Sequence, residues 1–374
     1  MQNQEKMRRV IVKVGTSTLT AGAKQLNRPR MVELTRQIAA LADAGCQVVL
    51  VTSGGIAAGR EVMGYPDLPK FLPGKQMLAA VGQPHLMSIY TQLFGLFGKR
   101  IAQVLLIRED LSNRRRYLNA RNTLEALLEL NVIPIINEND TVATDEIRFG
   151  DNDNLSAMVV NVLEADLLIL LTDQDGVYTA DPRMDKNAQL VREITSETIP
   201  EELFLAAGGT SNGLGTGGMM TKLRAADLAR RSGSRVVIAN GSMDQVLTRI
   251  VIDQEPLGTN FVPLSTHLEN RNRFLLSGMK DTAGTLRIDE GAAAALRAGG
   301  SLLPVGIRKV KGKFNRGESV TITDTTGKDV AVGLCNYSAE EVHTIAGFHS
   351  EKIEELLGYA YGGEVVHRNN LVLL

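Results

Sequence analysis

Little in this chain of 374 residues points to a secreted or membrane protein. Its two cysteines, Cys46 and Cys335, lie far apart and neither has metal-ligand spacing around it. There is no secretory signal and no apolar run long enough to span a bilayer. Two lone thiols in such a chain predict a reduced, cytoplasmic protein. Lysine and arginine number 41 against 42 aspartates and glutamates, so with a formal net charge of -1 no global field favours nucleic acid or a membrane surface. The usual phosphate signatures are also missing. No GxxxxGK followed by Ser or Thr occurs, nor DFG, nor HRD, which excludes the ordinary P-loop and protein-kinase readings. Gly213, Gly215 and Gly218 spell GxGxxG, but the preceding AAGGTSN is not a strand, as a dinucleotide fold requires.

What the chain does have is 36 glycines, 44% hydrophobic residues and enough length for two or three domains. The most informative stretch is Asn137 to Ser156, NENDTVATDEIRFGDNDNLS. It follows Val132 to Ile136, which reads as a buried strand despite Pro134. Asn137, Glu138, Asn139 and Asp140 come straight off that strand. Asp151, Asn152, Asp153 and Asn154 close the stretch before an apolar helix expected from about Leu155. Carboxylates and carboxamides crowded at the carboxyl end of a strand lie where open α/β sheets bind ligands. They offer acceptors to an ammonium or a lysine and amide donors to a carboxylate. Helix capping accounts for one or two such residues, not for eight in two clusters.

Two more strands end in small-residue turns. Val10 to Val14 carries Lys13 near its end and breaks into Gly15, Thr16 and Ser17. Gln47 to Thr52 runs into Ser53, Gly54, Gly55 and a helix, which places backbone amides at a helix start, a ready anion site. Between them a helix is expected from Pro29 to Ala44, ended by Gly45. Gly74 to Phe97 reads as helix, with Gly82 and Pro84 as the place where it would break. Ile101 to Ile107, Asp166 to Leu171 and Arg235 to Ala239 read as further strands. Arg114, Arg115 and Arg116 open a helix through Leu130 and predict a solvated or subunit-facing surface. A Gly-rich segment, Ser211 to Lys222, leads into another helix, where amides, helix dipole and the Lys222 ammonium would converge on a phosphate. The alternation predicts an α/β layered fold with a largely parallel central sheet up to about residue 262. A polar connection follows over 263–280. The remainder, 281–374, predicts a small β-rich domain with strands near Thr285 to Ile288, Ser319 to Thr323 and Val330 to Leu334.

IVKVGTS (11–17), VTSGGIAAGR (51–60), INEND (136–140), GDNDNLSA (150–157), LLTDQDGVYTADPR (170–183) and GLGTGGMMTK (213–222) resemble the glutamate 5-kinase family of the amino acid kinase superfamily. The tail from about Asp281 resembles the PUA domain that many bacterial members carry. The resemblance implies ATP-dependent phosphorylation of the L-glutamate side-chain carboxylate to L-glutamyl 5-phosphate, the first step of proline biosynthesis. By it, Lys13 and Lys222 contact the ATP phosphates and Asp153 holds the two ammonium groups. Ser53, Asp140 and Asn152 bind glutamate. Thr172 and Asp173 bind the nucleotide together with Thr216, Gly217, Gly218, Met219, Met220, Thr221 and Lys222. Mg²⁺ is held mainly through the phosphates, with no protein ligand assigned. L-proline is the expected feedback inhibitor, and a homo-oligomer without a membrane partner is the expected assembly. One departure is Gly55, where alanine is expected and glycine loosens the turn.

Two alternatives stand beside this reading. A sibling kinase could act on another carboxylate, on carbamate or on a nucleoside monophosphate, with the same phosphate machinery. Only Ser53 and the stretch Asn137 to Asn152 would discriminate. An RNA-binding role rests on the tail, where Arg308, Lys309, Lys311, Lys313 and Arg316 fall within nine residues with no acid among them. The tail as a whole has nearly as many acids as bases, and that stretch has a single aromatic, Phe314.

Overall fold

The computed structural model describes residues 9–65, 71–143, 152–208, 218–266 and 282–374. They fall into two compact units, Met1–Leu111 with Ala120–Thr266 and Ser112–Asn119 with His267–Leu374. The expected connection over 263–280 lies largely outside the described residues. Among those described, no helix is long and apolar enough to cross a membrane.

The first unit is built on eight strands: β1 (Arg9–Val14), β2 (Gln47–Thr52), β3 (Arg100–Leu106), β4 (Val132–Glu138), β5 (Leu167–Thr172), β6 (Glu193–Ile194), β7 (Arg235–Asn240) and β8 (Thr259–Phe261). Their order across the sheet is β3-β4-β2-β1-β5-β7-β8-β6. All neighbours are parallel except β7 and β8. The central strands are apolar on both faces because helices cover both sides, so β5 reads LLILLT and is buried throughout. The register brings four strand ends level. Val14 pairs with Thr52 and with Leu171, and Val51 pairs with Ile136, which puts Asn137 beside Thr52.

Helix Arg28–Asp43 has Pro29 in its first turn, and Gly45 just beyond it takes a φ of 86°. Helix Leu72–Gly95 runs unbroken through Gly82 and Pro84, contrary to the sequence expectation. Pro84 is exposed. Gly82 is consumed by packing. A Cβ on it would lie 1.9 Å from the Gly55 carbonyl oxygen and 2.2 Å from Gly59 N, and a Cβ on Gly59 would lie 1.9 Å from the Leu78 carbonyl oxygen. Helices Gly55–Val62 and Leu72–Gly95 therefore touch backbone to backbone. The Tyr90 hydroxyl of the second helix reaches Thr52 Oγ1 at 2.8 Å and ties that helix to the end of β2.

The second unit contains β9 (Gly284–Ile288), β10 (Ile307–Gly312), β11 (Ser319–Thr323), β12 (Asp329–Leu334) and β13 (Leu371–Leu373), in the order β10-β9-β11-β12-β13. Its core gathers Leu286, Phe314, Ile322, Tyr337, Val342 and Val365. Ser112–Asn119, which includes the start of helix Arg114–Glu129, belongs with this unit. The arginine triple is exposed, but Arg114 Nη1 donates to Ser319 Oγ at 3.1 Å, and the Gly317 backbone lies against Arg115.

Candidate functional site

β1 carries Lys13 into a position where the residue is 3% exposed, between apolar neighbours on its own strand and opposite Val51 and Leu170 on the flanking ones. Such an ammonium needs a counter-charge. Asp153 supplies it from the first turn of helix Asn152–Leu163. That helix starts three residues earlier than the apolar pattern predicts, because short Asn and Asp side chains suit a helix start. Asp153 has no exposed surface. Its Oδ1 lies 2.5 Å from Lys13 Nζ and its Oδ2 lies 3.2 Å from Lys222 Nζ. Thr221 Oγ1 donates to the same Oδ2 at 2.6 Å. Burial alone would raise the Asp153 pKa. The charges of Lys13 and Lys222, with hydrogen bonds from Lys13 and Thr221, outweigh it and hold the carboxyl far below the usual range.

Lys222 and Thr221 come from helix Met219–Arg231, which Gly218 opens in an extended conformation. Among the described residues nothing lies within 4 Å of where a Gly218 Cβ would be. Met219 and Met220 are half-buried beside it. Thr216 and Gly217 lie outside the described residues, as do Gly213 and Gly215. At the end of β5, Thr172 is buried and its Oγ1 donates to Asp173 Oδ1 at 3.1 Å, while Asp173 is exposed.

A second cluster forms at the ends of β2 and β4. Gly54 takes a φ of 98°, and a Cβ there would lie 3.2 Å from Leu19 Cδ1, so the turn after Ser53 needs glycine. Asn152 Nδ2 donates to Ser53 Oγ at 3.0 Å and to Asn137 Oδ1 at 3.1 Å. Asn137 Nδ2 donates in turn to Gln83 Oε1 at 2.8 Å. Gly55 sits against this chain: an added Cβ would be 3.4 Å from Gln83 Oε1 and 3.5 Å from Asn137 Nδ2. Asp140 follows in the turn after β4. Burial pushes its carboxyl up to about 6, with the Lys75 charge pulling the other way. Asp151 lies outside the described residues.

The described residues thus bring Lys13, Asp153, Thr221 and Lys222 into one contact set, and Ser53, Asn137 and Asn152 into another. Asn152 and Asp153 are adjacent in sequence, so the two sets share one helix turn. Lys75 and Gln83 were not singled out by sequence. Both lie on helix Leu72–Gly95, and no local motif marks them. Among the described residues no group of three or more His, Cys, Asp or Glu gathers into a metal cage. Both Asp153 oxygens are taken up by the lysines and Thr221.

The chain is similar to known proteins. The amino acid kinase family matches residues 8–240, and the PUA domain matches residues 284–357. The chain is 53% identical over 368 residues to the glutamate 5-kinase of Shewanella sediminis (strain HAW-EB3), covering 98% of each chain. It is 51% identical over 365 residues to the glutamate 5-kinase of Serratia marcescens, covering 97% of this chain and 98% of that one. Among solved structures, the UMP kinase from Bacillus anthracis aligns with a TM-score of 0.47 at 16% identity, over 70% of this chain and 98% of that one. The chain belongs to the amino acid kinase family and, within it, to the glutamate 5-kinases.

Proposed function

We propose the following roles in the reaction of this glutamate 5-kinase, in which ATP and L-glutamate give ADP and L-glutamyl 5-phosphate at the start of proline biosynthesis. The observation that carries the assignment of roles is the single buried carboxylate of Asp153 held between Lys13 and Lys222. Two ammonium groups against one carboxylate leave a net positive charge in a dry site, which suits a transferring phosphoryl group.

The glutamate side-chain carboxylate, with an ordinary pKa of about 4.3, is ionised at pH 7 and needs no general base. One of its oxygens forms a bond to the γ-phosphorus of ATP, and the bond to the β,γ-bridging oxygen breaks. The electron pair leaves on ADP, and no proton moves. What the protein supplies is placement of two anions against one another and stabilisation of the charge between them. Lys13 and Lys222 face the phosphates. Asp153 aligns both and takes no part in bond making. Gly218, Met219, Met220 and Thr221, with Thr172 and Asp173, hold the nucleotide; Thr216 and Gly217 belong to the same segment by resemblance. Ser53, Asp140 and Asn152 hold glutamate, with Asp140 facing its ammonium. Mg²⁺ would be held on phosphate oxygens and waters, where it adds charge shielding to that of the lysines.

L-proline offers an α-carboxylate and an ammonium like those of glutamate, and we assign it as a competitor at the same subsite. We assign the enzyme to the cytoplasm as a homo-oligomer. Both cysteines are buried and neither is in a disulfide among the described residues, which suits a reducing compartment. We set the kinase domain at 1–262, the connection at 263–280 and the PUA-like domain at 281–374. The decisive experiment is a coupled ADP assay with hydroxylamine trapping of the acyl phosphate. L-glutamate, N-acetylglutamate, carbamate and UMP are offered as acceptors. Glutamyl hydroxamate formed from L-glutamate, with the other acceptors silent, is the expected result. Turnover of another acceptor in preference to glutamate overturns the assignment.

A further inference from the structure

Glu138 is the last residue of β4, and its backbone N–H donates to Asn137 Oδ1 at 2.9 Å. A backbone amide can only donate, so it fixes which end of the Asn137 carboxamide faces it. Every later bond in the cluster inherits that polarity. With its oxygen committed to Glu138 N and Asn152 Nδ2, Asn137 must turn its amino group outward, and it donates to Gln83 Oε1 at 2.8 Å. Gln83 Nε2 in turn donates to Gln103 Oε1 at 3.2 Å. On the other side, Asn152 spends both Nδ2 hydrogens, on Asn137 Oδ1 and on Ser53 Oγ. That leaves Asn152 Oδ1. It is buried, in a residue only 8% exposed, and has no hydrogen-bond partner among the described residues. Buried carbonyl oxygens are rarely left unpaired, and such an exception calls for a missing donor.

We infer that Gln83 is a positioning residue that holds the Asn137 carboxamide in the orientation set by the Glu138 backbone N–H, so that Asn152 presents an acceptor to the substrate's ammonium. Were the pair reversed, Asn152 would present an NH₂ group and read a carboxylate instead. The polarity of two amides thus decides which end of an amino acid the subsite accepts. Gln83 touches no substrate. It holds Asn137 from the side opposite Asn152, and it stands on the helix packed against the Gly55 turn. The assignment rests on the glutamate reading of the site.

The test uses two variants of the full-length enzyme. Gln83→Met keeps length and helix propensity but offers no oxygen to Asn137. Gln83→Glu keeps the acceptor and loses the amino group. Steady-state kinetics are measured with L-glutamate and with glutarate, which lacks the ammonium. In Gln83→Met the glutamate KM should rise about tenfold with kcat within about threefold and ATP KM unchanged, as for lost ground-state binding. Its preference for glutamate over glutarate should fall by a similar factor. Gln83→Glu should stay within about threefold of wild type on both measures. A Gln83→Met enzyme with unchanged glutamate KM and unchanged preference, or a Gln83→Glu enzyme impaired as much as Gln83→Met, overturns the inference and leaves the glutamate reading standing. A wild-type enzyme that uses glutarate as well as glutamate overturns the ammonium role of Asn152. A wild-type enzyme that yields no glutamyl hydroxamate overturns the glutamate reading and this inference with it.

Discussion

Asp153 is held by three donors on two oxygens, and its loss should register in the chemical step more than in binding. Lys13→Ala and Lys222→Ala should each lower kcat by roughly 10²-fold or more, as when a preorganised donor is removed, with smaller changes in glutamate KM. Asp153→Asn keeps the shape and loses the charge that aligns the lysines, so its defect should also fall on kcat. Because the three act together, Lys222→Ala/Asp153→Asn should be little worse than Lys222→Ala alone in single-turnover measurements. A variant at Asp153 that melts earlier yet turns over normally would make it a helix-start residue only. Asp140 behaves in the opposite sense. Its carboxyl is raised to about 6 by burial, so in the free enzyme it is ionised above that pH and protonated below it. kcat/KM for glutamate should therefore fall as pH drops below about 6, while kcat at saturating glutamate should fall less. The same shift bears on stability. A carboxyl raised on folding stabilises fully below its unfolded value of about 3.9, and that contribution is lost as pH rises through about 6. Asp140→Asn should then raise apo stability at pH 7.5 by roughly 1–2 kcal/mol while weakening glutamate binding. Thermal melts at pH 4 and 7.5 check it, since the gain should vanish at the lower pH.

At the scale of elements, helices Gly55–Val62 and Leu72–Gly95 meet through glycine on both sides. Gly82→Ala puts a methyl carbon into the Gly55 carbonyl and should destabilise by about 1–3 kcal/mol or prevent folding, with glutamate KM raised in whatever folds, because the Ser53 turn would shift. Among the described residues, Gly55→Ala meets nothing closer than 3.4 Å and takes the residue that the resemblance leads one to expect. It should be neutral or stabilising by up to about 1 kcal/mol through helix propensity, read by chemical denaturation. This pair of helices also marks where sequence reading stopped. Strands β1, β2, β4 and β5 were legible from apolar runs, and Lys13, Ser53, Asn152, Asp153 and Lys222 from the polar residues at the ends of strands and starts of helices. Gln83 and Lys75 were not. They sit mid-helix and near a helix start in a segment whose one visible feature, Gly82 and Pro84, reads as a break. Gly82 acts instead as a close contact with residues far off in sequence, and such contacts leave no local periodicity. The early start of helix Asn152–Leu163 was missed for a related reason. The apolar pattern begins at Leu155, while the first turn is spent on polar residues that face the site.

At the scale of the molecule, the tail and the first turns of helix Arg114–Glu129 form one unit. Arg114 reaches Ser319, Arg316 contacts Asn119, and the Arg316 guanidinium lies 3.7 Å over the Tyr361 ring. Truncation after Arg273 removes none of the described phosphate or glutamate residues, so the fragment should fold and retain kinase activity. It should melt several degrees lower than the full chain, because the start of that helix loses its partners. An inactive, insoluble fragment beside an active full-length enzyme would place the tail within the catalytic fold. Of the five basic residues once grouped as an RNA candidate, Arg308 pairs with Asp289 and Arg316 is engaged as above. Sheet order carries a different consequence. Of the residues proposed for glutamate, Ser53 follows β2 and Asp140 follows β4; of those proposed for the nucleotide, Lys13 lies on β1 and Thr172 ends β5, four consecutive strands. Neighbouring strands stand about 4.8 Å apart, so the hydrogen-bonded lattice fixes a separation of about 14 Å from β4 to β5. The sheet is thus a gauge of acceptor length. An acid whose ammonium is anchored over β4 must span a set distance to reach the phosphorus. Aspartate, one methylene shorter, falls short by about 1.5 Å, and misplacement on that scale costs about 10²-fold in rate. L-aspartate should bind competitively with glutamate and scarcely turn over, so its discrimination should appear in kcat, not in the inhibition constant. Comparable kcat values for the two acids would mean that the anchoring point slides along the strand ends.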